Sequence, residues 1–258
     1  MPRALIFDCD GVLADTERDG HLVAFNLLFA EIGLPIRWSE EQYADLVRIG
    51  GGKERLRAFL TDERARSLGL PTETDVLTEL IGRWHRRKSE LFRALVRDGA
   101  VPARPGVRRL VDEALSTGWR VAVASTSAES SVLAVLRQAV GPDNVQRVAV
   151  FAGDIVAHKK PAPDIYLRAL QDLPASPDAC VVVEDSAVGL QAATAAGLLT
   201  VVTPSSYTRD DDFSAAAAVV SDLGEPTRPA QIVRDPHGVA RAGLVDVEGL
   251  SRLIERRS

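Results

Sequence analysis

The strongest constraint on this chain lies near its start, in Leu5-Ile6-Phe7-Asp8-Cys9-Asp10-Gly11-Val12-Leu13-Ala14-Asp15-Thr16. Leu5 to Phe7 are apolar without alternation and too few for a helix, so they read as a buried strand. Asp8 and Asp10 come directly after it, and residues two apart in an extended chain point to the same side. Two carboxylates that close repel, and a bound cation or a proton held on one of them relieves the repulsion. The pair therefore reads as a metal-binding nucleophile beside a general acid/base, or as a polar turn that closes a strand. The residues further along decide between these readings.

The 258 residues suffice for one large domain, or for a core with a smaller companion. A hydrophobic content of 46% supports a packed core and excludes global disorder. The net charge of −5 argues against a dedicated nucleic-acid binder, which needs a basic surface. Cys9 and Cys180 both adjoin apolar runs and read as buried thiols rather than a disulfide framework. With the first strand starting so early and no long apolar run, neither a signal peptide nor a membrane span is expected, and the cytoplasm is the expected compartment.

After Thr16 the pattern turns helical. Leu22, Phe25, Phe29 and Ile32 recur at three- and four-residue spacing, which predicts a helix from about Glu17 to Glu31. Ser39 is placed to cap a second helix over Glu40 to Val47. Ile49-Gly50-Gly51-Gly52-Lys53-Glu54-Arg55 reads as a flexible loop opening another helix, and Leu77 to Leu95 as one more. The run Trp84 to Lys88 reads most simply as a solvated helix face. From Val107 onward helices alternate with apolar strands at Val121–Ala124, Val148–Phe151, Cys180–Val183 and Leu199–Val202, the signature of a parallel sheet covered on both faces. Ligands of such sheets bind beyond the carboxyl ends of the strands.

The residues at the end of each strand are chemically informative. Asp8 and Asp10 lie after the first, Ser125, Thr126 and Ser127 after the second, and Lys160 beyond the third. Glu184 and Asp185 close the fourth. Two acidic clusters, a hydroxyl cluster and a lysine thus meet at one sheet edge, and together they compose a site for phosphoryl transfer. An oxygen-lined pocket suits Mg²⁺, held by Asp8, Asp185 and the Asp10 carbonyl, with Glu184 orienting metal waters. Asp8 would attack phosphorus while Asp10 protonates the leaving oxygen and then activates water. Ser125 and the amides after it would hold phosphate oxygens, and Lys160 would neutralise developing charge.

These residues resemble the four ordered motifs of the haloacid dehalogenase superfamily: Asp8-x-Asp10-Gly-Val-Leu, Ser125, Lys160-Pro161 and Glu184-Asp185-Ser186. The resemblance implies a Rossmann-like core, an Mg²⁺-dependent nucleophile at Asp8, an acid/base at Asp10, and a mobile helical cap between the first two motifs. An aspartate as the second acid marks phosphatases and phosphomutases rather than dehalogenases. Glu17-Arg18-Asp19-Gly20-His21, the Gly50–Arg55 loop and Tyr207-Thr208-Arg209 are similar to the CbbY branch, the xylulose-1,5-bisphosphate phosphatases. Free N–H groups of the glycine loop, with Lys53 and Arg55, could hold a second phosphate; the same glycines could simply join two helices. With Val47 and Glu54 where a Walker A loop has glycine and Ser/Thr, nucleotide binding is disfavoured. Glu17 and His21 could bind sugar hydroxyls, or His21 could simply pack.

The expected architecture is therefore α/β. A Rossmann-like, doubly wound parallel-sheet core comes from residues 1–16 and 103–258, with 225–258 a loop-rich tail carrying a short helix. Residues 17–102 form an inserted all-helical cap. Asp8, Asp10, Ser125 and Lys160 are expected in catalysis, and Asp8, Asp10, Glu184 and Asp185 around Mg²⁺. Glu17, His21, Gly51, Gly52, Lys53, Arg55, Thr126, Ser127 and Arg209 are expected on the substrate. The expected partner is a small sugar phosphate, with no nucleic acid, no membrane and a monomeric chain. A β-phosphoglucomutase-type enzyme shares the acid pair and is the nearest rival. A phospho-accepting receiver module is a distant one, since no aspartate directly follows Val121–Ala124.

Overall fold

The computed structural model describes residues 2–257. The chain divides into two compact units, Thr16–Val101 and the pair Met1–Asp15 with Pro102–Ser258.

The Thr16–Val101 unit is helical. A π-helical turn over Glu17–His21 runs into α1 (Leu22–Glu31), followed by α2 (Glu40–Leu46), α3 (Gly52–Phe59), α4 (Asp62–Ser67) and α5 (Thr74–Arg97). Ser39 opens α2 with a capping box: its hydroxyl accepts from Gln42 N at 3.1 Å, and Gln42 Oε1 accepts from Ser39 N at 3.3 Å. Trp38 is 2% exposed and organises the core, with ring centroids 4.8 Å from Phe25, 5.0 Å from Phe29 and 5.1 Å from Phe59. Asn26 fixes the extended segment that carries it, accepting from Trp38 N at 2.8 Å and donating to Trp38 O at 2.9 Å.

Helix α5 corrects one expectation. Its inward stripe is Leu77, Ile81, Trp84, Lys88, Phe92 and Val96, so Trp84 and Lys88 are buried and only Arg86 and Arg87 of that run face water. The spacing of three or four between these residues places a lysine in a core register, where its ammonium lies 4.6 Å from the Phe25 ring centroid.

The second unit is built on a seven-stranded sheet. In chain order it contains β1 (Ala4–Phe7), α6 (Val107–Ser116), β2 (Arg120–Ser125), α7 (Glu129–Val140), α8 (Pro142–Val145) and β3 (Val148–Ala152). Next come α9 (Asp164–Asp172), β4 (Cys180–Glu184), α10 (Ala187–Ala195), β5 (Leu199–Val202), β6 (Ala218–Val220) and β7 (Ile232–Arg234). A two-stranded hairpin of β8 (Ala240–Arg241) and β9 (Leu244–Val245) and the helix α11 (Val247–Glu255) finish it.

The sheet order is β3-β2-β1-β4-β5-β6-β7, parallel except for the β6–β7 pair. From β1 the chain proceeds to β2 and β3 on one side, then to β4 and β5 on the other, so β1 marks the switch point where such sheets open a crevice. Register completes the arrangement: Phe7 lies opposite both Val123 and Val183, which brings the carboxyl ends of three strands level. Residues 225–258 carry the expected short helix as α11, but they are more regular than expected ahead of it, since they also supply β7 and the β8–β9 hairpin. Strands of two or three residues are too short to show periodicity in sequence.

Trp38 sits at the centre of an aromatic cluster that a smaller side chain would leave unfilled. Trp38→Ala is expected to destabilise the helical unit by about 3–5 kcal/mol, as large core truncations do. Denaturant unfolding followed by circular dichroism checks this, and a loss below about 1 kcal/mol would contradict the assignment of the core.

Candidate active site

At the carboxyl edge of the sheet, Asp8 continues β1 with its N–H on Val183 O at 2.9 Å. Lys160 reaches this edge from the loop after β3. Its ammonium donates to Asp8 Oδ1 at 2.5 Å, Glu184 Oε1 at 2.6 Å, Tyr166 Oη at 3.0 Å and Ala124 O at 3.2 Å. The Tyr166 hydroxyl donates in turn to Glu184 Oε1 at 2.6 Å. The other Glu184 oxygen accepts from Asp185 N at 3.0 Å. Glu184 is only 1% exposed, and its carboxylate fixes Lys160 and the turn into α10.

Asp10 lies two residues beyond Asp8, and its Oδ2 accepts a short hydrogen bond from Ser127 Oγ. Ser125 ends β2 buried, with its hydroxyl accepting from Ser127 N at 3.1 Å, while Thr126 is half-buried beside it. The hydroxyl cluster and the acid pair are therefore in direct contact. Asp185 is held from behind by the segment after β5, where Thr208 Oγ1 donates to Asp185 Oδ2 at 3.4 Å. Gly11, with φ of 80°, passes so close to Asp185 that a Cβ would collide with its carboxylate. Arg209 is exposed in the same segment.

One ligand atom from each of Asp8, Glu184 and Asp185 lies within 4.8 Å of the others, and all three residues are buried. Three carboxylates face one ammonium, so the site carries an uncompensated double negative charge when all are ionised. The electrostatics register that cost. Burial raises the Asp8 carboxyl to about 7, against the pull of Lys160 and with help from Glu184 and Asp10. Burial likewise pushes Asp185 well above the usual carboxylate range, and Glu184 and Asp8 add to it. Lys160 stays charged: burial opposes its ammonium, but Asp8 and Glu184 hold it protonated well above its ordinary range. A divalent cation with a preference for hard oxygen ligands fits this donor set and removes the imbalance. Asp8, Glu184 and Asp185 each have an oxygen to offer it, and those of Glu184 are also hydrogen-bonded to Lys160, Tyr166 and Asp185 N.

The helical unit places its expected residues differently. Arg55 is buried, and its guanidinium grips the Glu17 carboxylate with two contacts of 2.9 Å while Nε donates to Ile49 O at 3.0 Å. Tyr43 Oη completes the triad, donating to Glu17 Oε2 at 2.6 Å and accepting from Arg55 Nη1 at 2.5 Å. Arg55 and Glu17 thus form a neutralised pair. His21 Nδ1 lies 2.7 Å from the buried Lys88 ammonium, and its ring lies 4.1 Å from that of Phe92. Gly51, with φ of 97°, caps α3, and the carboxylate of Glu54 folds back against it, leaving Lys53 exposed alongside Gly52. Tyr166 and Lys88 were not singled out by sequence, because an aromatic or a lysine on a helix gives no sign of its polar partners. Tyr166 had one available signal: it sits six residues past Lys160, in the first turn of α9.

A parallel-sheet unit with a paired-acid edge and a buried Lys160 is the framework of a known family. Residues 2–197 match the haloacid dehalogenase-like hydrolase family, to which this chain belongs; within it the chain falls in the CbbY-like branch and is an enzyme of the phosphatase class. It is 46% identical over 230 residues to a CBBY-like protein of Arabidopsis thaliana, spanning 88% of this chain and 70% of that protein. Among solved structures it is similar to CbbY from Rhodobacter sphaeroides in complex with phosphate, at 39% identity and a TM-score of 0.74, covering 87% of this chain and 96% of that one. A mutant of that protein in complex with xylulose-(1,5)bisphosphate matches at 39% identity over the same shares, with a TM-score of 0.73.

The raised acids set a pH signature. Between its ordinary value of 3.8 and its folded value near 7, Asp8 keeps in the fold a proton that the unfolded chain releases, so its contribution destabilises the fold as pH rises through that window. A divalent cation held by the ionised acids would offset that cost. The gain in melting temperature on replacing EDTA with saturating Mg²⁺ is therefore expected to be larger at pH about 8 than at about 5.5. An equal gain, or a larger one at the lower pH, would contradict the electrostatic account.

Proposed function

We propose that the chain is an Mg²⁺-dependent sugar-phosphate phosphatase working through an aspartyl-phosphate on Asp8, with xylulose 1,5-bisphosphate the leading substrate. The observation that carries the mechanism is the Lys160–Asp8 contact of 2.5 Å with a second acid, Asp10, two residues on. A carboxylate so held cannot turn away, and a free oxygen remains to attack.

Asp8 and Asp185 would hold Mg²⁺, whose charge offsets the repulsion between a carboxylate nucleophile and a phosphate dianion. Asp8 attacks phosphorus and the bond to the sugar oxygen breaks, while protonated Asp10 gives its proton to that oxygen. Asp10, now ionised, takes a proton from water as the water attacks phosphorus. The bond to Asp8 breaks, phosphate leaves and both acids return to their starting state. Ser125 and the amides after it receive phosphate oxygens, and Lys160 keeps the Asp8 carboxylate in place and neutralises charge. Ser127 serves the proton carrier through its hydrogen bond to Asp10.

The sugar bisphosphate bound by the Rhodobacter sphaeroides mutant supports the substrate. The exposed Lys53 beside Gly52 supports a second phosphate. The Arg55–Glu17–Tyr43 triad acts as a brace for the Gly50–Lys53 loop, since Arg55 Nε holds the Ile49 carbonyl at its start.

Asp8→Asn is expected to lower turnover by roughly a thousandfold or more, in line with loss of a covalent nucleophile. Asp10→Asn should lose turnover comparably while keeping its affinity for Mg²⁺, because its carboxylate is not a proposed ligand. Substantial activity in Asp8→Asn would rule out the mechanism. The substrate is tested by phosphate release across sugar mono- and bisphosphates with glucose 1-phosphate isomerisation measured in parallel. Fastest release from xylulose 1,5-bisphosphate is expected, and isomerisation outpacing release would identify a mutase instead.

A further inference from the structure

Arg104 stands between the end of the isolated bridge Ala14–Ala103 and the start of α6. Its own N–H donates to Leu13 O at 2.9 Å. Its guanidinium is given over to main-chain carbonyls. Nη1 donates to Gly11 O and to Thr203 O at 2.7 Å, and Nη2 to Pro204 O at 2.9 Å and Ser221 O at 2.6 Å. One planar fork thereby ties three separate stretches of chain: the loop after β1, the segment after β5 and the segment after β6. A lysine, with a single compact ammonium, cannot bridge them in this way.

Two of those stretches determine where the metal-binding groups stand. Gly11 N donates to Ala14 O at 2.9 Å, and across a trans peptide the Asp10 carbonyl must point the opposite way. Arg104 holds the next carbonyl along, so the Asp10–Gly11 peptide is fixed on both sides. Gly11 also packs directly on Asp185. In the segment after β5, Ser205 N donates to Thr208 Oγ1 at 2.8 Å, Thr208 Oγ1 reaches Asp185 Oδ2, and the Ser205 hydroxyl also hydrogen-bonds Asp185. Thr203 and Pro204, gripped by Arg104, lead straight into that pair. Asp185 is therefore trapped between two segments that share one clamp.

We propose that Arg104 is a positioning residue for the divalent-cation site, setting the Asp10 carbonyl and the Asp185 carboxylate by clamping the Gly11, Thr203 and Pro204 carbonyls. The inference rests on the reading that Asp8 and Asp185 hold Mg²⁺. The Arg104 guanidinium hydrogen-bonds the two loops and places its positive charge near Asp185, a charge that Arg104→Lys retains. Positioning groups of this kind typically change metal affinity by roughly 10- to 100-fold.

Arg109 on α6 provides the matching control. It too spans carbonyls with one guanidinium, those of Leu223 at 2.8 Å, Gly224 at 2.9 Å and Val245 at 2.9 Å, but none of these adjoins Asp10 or Asp185. Arg104→Met and Arg109→Met each remove a carbonyl clamp of similar size from the same unit.

The experiment titrates Mg²⁺ into the wild type and both variants by calorimetry, well below their melting temperatures and without substrate. Arg104→Met is expected to raise the Mg²⁺ Kd by roughly 10- to 100-fold, and Arg109→Met to leave it within about twofold while lowering the melting temperature. Arg104→Lys, which keeps the charge, supplies the answer if Arg104→Met does not fold: its Kd should also rise, because a single nitrogen cannot stand in both places that Nη1 and Nη2 occupy. A Kd within about twofold of wild type in folded Arg104→Met or Arg104→Lys would overturn the proposal, as would equal weakening by Arg109→Met. A wild type that binds no Mg²⁺ would instead remove the reading of the acidic cluster, and this inference with it.

Discussion

Everything at the sheet edge depends on one buried ammonium. Lys160 lies between Asp8 and Glu184, 2.5 and 2.6 Å from an oxygen of each, and without it two carboxylates would face one another with almost no water to screen them. Its ammonium lies within hydrogen-bonding distance of Asp8, Glu184, Tyr166 and the Ala124 carbonyl, which joins the ends of β1, β2 and β4 into one hydrogen-bonded unit. Yet one positive charge does not balance Asp8, Glu184 and Asp185. Burial raises the Asp8 and Asp185 acids and the neighbouring carboxylates add to it, a cost that a divalent cation would relieve. Structural stress and chemical use have the same origin.

The fold supplies the rest by geometry. Parallel pairing of β1 with both β2 and β4 brings Asp8, Ser125 and Glu184 to neighbouring strand ends without any of them being close in sequence. The turns beyond those ends are then held by side chains rather than by regular structure: Ser127 on Asp10, Thr208 on Asp185, and Arg104 across three segments. Such holding suits a site whose groups must keep fixed separations while a phosphate is attached and released. In the helical unit a comparable role falls to Arg55. It is closed off by Glu17 and Tyr43, which leaves Lys53 as the exposed cation of the glycine loop.

The strand ends were legible in sequence because each short apolar run gives way at once to a chemically distinctive residue, and the parallel sheet then places those residues together. Ser39 as a cap and the helical run from Leu77 to Leu95 were legible for equally local reasons. Less visible were features that depend on contacts across the chain. Arg55 reads as a free cation until Glu17, 38 residues earlier, is found in its grip. Lys88 reads as solvated until the phase of α5 turns it inward. The strands β6 to β9 are too short to leave a pattern, and nothing local marks Arg104 as a residue that binds four carbonyls. Local chemistry survives in the sequence, whereas pairings between distant residues exist only in the fold.

The central claim is that Asp8 forms the covalent bond to phosphorus. Borohydride added during turnover reduces an aspartyl-phosphate to homoserine at the residue that carried it, and peptide mass spectrometry locates that residue. The account predicts homoserine at position 8 and nowhere else, appearing only when substrate and Mg²⁺ are both present. Homoserine at another aspartate, or none at all from enzyme in full turnover, would contradict it.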